Sequence, residues 1–93
     1  MDPSEESILA VADIVLDSVA MGDAALAGDF DEARFRSQLV VAKADAAGHL
    51  DVVLAAAHTL NCLGPVGTVP RDGYGAGMLR VASELEKIGF QPV

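Results

Sequence analysis

Two copies of one turn signature constrain this chain more than any other feature. Ala27-Gly28-Asp29-Phe30-Asp31 and Ala47-Gly48-His49-Leu50-Asp51 share the pattern Ala-Gly-polar-apolar-Asp and start twenty residues apart. A glycine that follows a periodic apolar run can take the left-handed conformation that ends a helix, and the polar residue after it can cap the next. The apolar residue then tucks into the corner. Turns of this grammar join antiparallel helices, so the segments around them are expected to form helical hairpins.

The periodic segments number four. The first helix is expected to begin at Asp2-Pro3-Ser4-Glu5, with Asp2 as cap, Pro3 at the first helical position and Glu5 returning the capping-box bond. Ile8, Val11, Ala12, Val15, Leu16 and Val19 follow the 3.6-residue period and predict its core face, with Glu6, Asp13 and Asp17 opposite. Gly22 is expected to stop it, with a short helical extension through Ala24–Ala27. The second helix is expected over about Asp31–Ala46, with Phe35, Leu39, Ala42 and Ala46 on one stripe and Val40 beside it. Its bases Arg34, Arg36 and Lys43 either lie against the acidic stripe of the first helix or face a partner. The third, Leu50–Leu63, has Leu50, Val53, Leu54, Ala57 and Leu60 as its expected core face. Val52, Ala56 and Leu63 make a second apolar strip, and a helix apolar nearly all round is central or covered by another chain. That strip is therefore a candidate homodimer or partner interface, unless the Gly-rich loop folds over it.

Residues 64–77 hold five glycines and two prolines and are expected to be a long loop. A fourth helix then turns Met78, Val81, Ala82, Leu85 and Ile88 inward and Arg80, Glu84 and Lys87 outward, with Gly89 as its stop. Phe90 would pack back on Leu85, and Pro92 prevents continuation. The expected fold is all-α: a small antiparallel four-helix bundle, one domain over residues 1–93.

Charge is segregated along the chain. Nine acids and no Lys or Arg fall in the first 32 residues, while the remaining 61 carry five acids and six bases. The net charge of −8 thus sits in one third of the chain. A field this lopsided repels phosphate backbones and speeds encounter with cationic surfaces, although it also serves plain solubility. Glu6, Asp13, Asp17, Asp23, Asp29, Asp31 and Glu32 are the candidate binding residues for a protein partner with a basic surface. Direct nucleic-acid binding is not expected, for there is no basic stripe or aromatic stacking set. No apolar run reaches the ~18–20 residues that span a bilayer. The acidic start of the chain is unlike a secretory signal, and a cytoplasmic location is the expectation. One cysteine, Cys62, precludes an internal disulfide or a Cys-only metal site within the chain. Neither a metal nor another cofactor is expected. Without a strained nucleophile turn or a convergent polar set, an enzyme is not the expectation either.

His58 is the residue with most chemical potential. Asp51, Ala55, His58 and Cys62 share a side of the third helix, at steps of four, three and four. The stretch Ala56-Ala57-His58-Thr59-Leu60-Asn61-Cys62, with Ala47-Gly48 ahead of it, resembles the histidine phosphotransfer domains of bacterial phosphorelays. Those read Ala-Ala-His-Thr-Leu-Lys-Gly, and the later Met78-Leu79 and Leu85-Glu86 are also similar to the family's last helix. The resemblance spans about residues 35–90. It implies an up-down helical bundle with His58 as phosphoacceptor, docking a receiver domain. Asn61 and Cys62 stand where that family has Lys and Gly, so the cation that would neutralise a phosphoryl group is missing there. Three readings follow: a non-catalytic inhibitor, immunity or adaptor protein using its acidic third, a phosphorelay protein using His58, and a structural homodimer built on the third helix.

Overall fold

The computed structural model describes residues 2–89 and contains four helices: α1 (Pro3–Leu26), α2 (Phe30–Ala47), α3 (Leu50–Leu63) and α4 (Tyr74–Gly89). Successive helices pack against each other and α4 returns to α1, making a four-helix bundle 43 Å long and 20 Å across. The α1–α4 junction is the most open of the four. No described helix is long and apolar enough to cross a membrane. Phe90 and Pro92 lie outside the described residues.

Local chemistry explains the helix ends. Asp2 accepts bonds from the Ser4 and Glu5 amides at 2.7 and 3.4 Å, with Pro3 in the first turn as expected. The two repeated turns have the same backbone. Gly28 and Gly48 both sit at φ 78°, the left-handed region where glycine carries no Cβ penalty. Asp29 and His49 follow at φ −90°, ψ 77°, and their amides reach the Ala24 and Ala44 carbonyls, each at 2.9 Å. Only Asp29 adds a side-chain cap, accepting from the Glu32 amide at 3.2 Å.

Two boundaries differ from expectation. Gly22 does not stop α1, which runs on to Leu26, because the next turn supplies a complete set of capping bonds only at Ala27–Asp29. α4 starts at Tyr74 and takes in Gly75 and Gly77, leaving a shorter loop. Gly77 has a packing role inside the helix: a Cβ there would collide with Thr59 Oγ1 and stand 3.2 Å from Thr59 Cα. The bare backbone lets α4 press directly on α3.

The larger correction concerns which faces turn inward. The core consists of Ile14 and Met21 from α1, Val40 and Ala44 from α2, Val52, Ala55 and Ala56 from α3, and Val81 and Leu85 from α4. A second cluster gathers Ala24, Ala33 and Leu63 beneath Phe30 and Tyr74, whose rings meet edge to face at 5.6 Å. Val52, Ala56 and Leu63 are therefore fully buried inside the bundle and are not an interface. Conversely, Ile8, Leu16 and Val19 of α1, Phe35 of α2, and Leu50 and Leu54 of α3 are exposed. α4 comes nearest to its predicted face, with Val81 and Leu85 buried and Met78 and Ile88 packed against the core, while Ala82 is exposed. The other three turn Ile14, Met21, Val40, Val52 and Leu63 inward together with several alanines, and leave many of the larger residues of the predicted faces exposed.

Candidate functional site

The acidic residues of α1 explain the inversion. Asp17 is 4% exposed, and its two oxygens accept from Arg36 Nη1 at 3.0 Å and Lys43 Nζ at 2.6 Å, both from α2. Lys43 also pairs with Asp13 at 2.8 Å, and Arg36 with Glu32 at 2.8 Å. A carboxylate placed on the buried side of α1 is thus matched by two cations across the α1–α2 seam. Hydrogen bonds to Asp13 and Asp17 hold the Lys43 ammonium above its ordinary pKa, against the opposing pull of desolvation. Glu32 first, then Asp17, raises Arg36 likewise.

Asp31 is also taken. It accepts from Arg34 Nη1 at 2.6 Å and from the Gly67 amide at 3.2 Å. Arg34, 3% exposed, is a structural residue that the periodicity did not single out. Its Nε and Nη2 donate to the Leu63 carbonyl at 3.2 and 2.6 Å, Nε to Gly64 O at 2.9 Å, and Nη2 to Thr68 O at 2.6 Å. A planar guanidinium is suited to such a cluster of carbonyls at a helix C-terminus. Of the seven candidate binding acids, Asp13, Asp17, Asp31 and Glu32 pair with the chain's own bases and Asp29 caps α2. Glu6 and Asp23 are exposed, with no base within 4 Å among the described residues. Most of the acids read as a docking surface are thus matched within the chain. Only Asp17 among them is buried, while Asp13, Asp31 and Glu32 keep 57, 58 and 42% of their side chains exposed.

What α1 does present is apolar. Ile8, Leu9, Leu16, Val19 and Leu26 are each more than half exposed, with Leu26 at 90%. Beside them runs the α1–α4 groove, formed by three hollows of about 410, 310 and 330 Å³. Adjoining hollows share Ser18, Val19 and Ala82 at one junction, and Val11 and Gly89 at the other, so the groove is continuous. One signal for this surface was present in the sequence. Ile14 and Met21 fall off the assigned stripe, so α1 has apolar residues on two sides.

His58 is exposed on α3, with Cys62 Sγ 3.7 Å from its Nε2 and Cys62 itself buried. Asp51 is exposed while Ala55 is buried. Arg71 folds back from the loop, its Nη2 donating to the Asn61 carbonyl at 2.7 Å and its amide to Cys62 O at 2.8 Å. A guanidinium therefore lies beside the helix turn that follows His58. Arg71 and Asn61 also line a shallow hollow against Val41 and Leu60, which His58 does not enter. Among the described residues, no three His, Cys, Asp or Glu side chains gather as metal ligands would.

Comparison with known proteins gives no further guide: no family model, curated protein or solved structure matches this chain.

Proposed function

We propose that this chain is a non-catalytic helical protein that binds and regulates a protein partner, and that α1 makes the contact. The observation that carries this reading is the outer face of α1. Five large apolar side chains there stay more than half exposed, outside a core already filled by Ile14, Met21 and the inward residues of the other helices. Contiguous apolar surface rimmed by polar groups is characteristic of protein-docking sites. The acids contribute differently from the sequence expectation. Asp13 and Asp17, paired with Arg36 and Lys43 of α2, fix the rotation of α1 against α2, which sets the direction in which its apolar side points.

Site-specific photo-crosslinking in the cells that make the protein tests this. A crosslinker in place of Val19 is expected to give a discrete adduct, whereas one in place of the exposed Asp51 on α3 gives none. Equal labelling from both positions, or none from Val19, removes the proposal. A phosphoacceptor role for His58 is a second proposal, supported by its exposure and by Arg71 at the neighbouring turn. It ends if a phosphorylated receiver domain fails to label the protein, or labels His58→Gln equally well.

A further inference from the structure

The charges around the α1–α4 groove narrow the chemistry of what it binds. Of the residues lining its three hollows, Asp23 and Glu86 carry carboxylates, His49 lines the hollow at the far end from Asp23, and no lysine or arginine is among them. Both acids are exposed, and neither has a basic partner within 4 Å among the described residues. The bases of α4, Arg80 and Lys87, line none of these hollows, and Lys87 is paired with Glu84 at 3.1 Å. The rest of the chain has little cation to offer. Four of its six bases are in ion pairs, leaving Arg71 and Arg80, while nine of its fourteen acids have no base within 4 Å among the described residues.

The groove's dimensions point to a helix. From Ile8 to Leu26 α1 covers about 27 Å, the length of an 18-residue helix laid beside it. An amphipathic helix places apolar anchors at i, i+3, i+4 and i+7 into such a channel. Flanking cations would then meet Asp23 near one end and Glu86 further along. A second copy of this chain fits less well, because it would bring its own Asp23 and Glu86 and its own negative excess to the same seam.

We infer that the α1–α4 groove docks a cationic amphipathic helix of a partner protein, apolar anchors against Val11, Val15 and Val19 and basic flanks on Asp23 and Glu86. This rests on the reading of α1 as a protein-docking face. The probes are two synthetic 18-residue helical peptides with the same leucine pattern, one flanked by lysines and one by glutamates. Titrated by calorimetry in about 0.1 M salt, the lysine peptide binds about tenfold or more tightly than the glutamate peptide, and its advantage shrinks as salt screens the carboxylates. Asp23→Lys with Glu86→Lys reverses the order. Val19→Asp, at an exposed position that leaves the circular dichroism unchanged, abolishes both.

Equal affinity for the two peptides overturns the cationic specificity while leaving the docking face in place. Lysine-peptide binding that ignores all three substitutions is diffuse charge attraction and also overturns it. Binding of neither peptide, with the Val19 crosslink still formed, defeats this inference alone; loss of that crosslink as well defeats the reading beneath it. A micromolar dimer in sedimentation that Val19→Asp converts to monomer makes a second copy the occupant and overturns the proposal.

Discussion

At the scale of single residues, Arg34 shows how much one side chain can organise. It satisfies the last carbonyls of α3, reaches the loop at Thr68 and pairs with Asp31, all from a position 3% exposed. Lysine would keep the charge but present a single compact ammonium to partners spread across a plane. Arg34→Lys is therefore expected to cost about 1–3 kcal/mol in urea denaturation, the penalty for buried acceptors left without donors. A change within about 0.5 kcal/mol, the range of ordinary surface substitutions, would mean the guanidinium fork is not needed. Nothing in the sequence marked Arg34 apart from Arg36, two residues on. Both stand on a helix beside acids, and only the fold puts one of them under the end of α3.

At the scale of elements, the α1–α2 seam is an ionic contact on the side of α1 that also carries the core residues Ile14 and Met21. Its response to pH follows from Lys43, whose pKa is higher in the folded chain than in the unfolded one. The folded chain holds that proton more tightly, so, while its partner carboxylates are ionised, the Lys43 contribution is fully present below the ordinary lysine value of 10.5. The contribution fades as pH rises through the folded value. Thermal midpoints measured from pH 8 upward should fall in this alkaline window, and Lys43→Met, destabilised throughout, should lose less of its remaining stability there. Parallel curves for the two proteins would show that Lys43 does not couple folding to the proton. Helix existence and the paired turns were legible in the sequence because their bonds are local. The Gly28 and Gly48 turns, the Asp2 cap and the span of α3 all follow from residues within five positions of one another.

At the scale of the whole molecule, the bundle distributes apolar volume unusually, with Ala24, Ala33, Ala44, Ala55 and Ala56 inside and Leu16, Leu26, Leu50 and Leu54 outside. The arrangement makes an inverted stability pattern testable. Leu16→Gln and Leu54→Gln should each shift stability by no more than about 0.5 kcal/mol, as surface changes do. Ala56→Leu, which adds bulk to a filled core, should cost about 1–3 kcal/mol. The opposite ranking would restore the faces that periodicity alone suggests. It would also withdraw α1 as a docking surface, since its large residues would then be core. The candidate site was harder to read than the fold for the same reason: a groove belongs to two helices, and no single segment carries its outline.

The sequence alone determined that there are four helices, where most of them start and stop, and that the molecule carries an acidic excess. Period and capping are short-range, set by bonds between residues a few places apart. Tertiary structure decided how each helix is rotated about its own axis. Two of the four helices offer apolar residues on more than one side, so periodicity leaves that angle open. Long-range partners close it: Arg36 and Lys43 draw Asp17 inward, and Gly77 admits Thr59. An ion pair between residues 26 apart and a backbone approach across 18 exist only once the chain has folded.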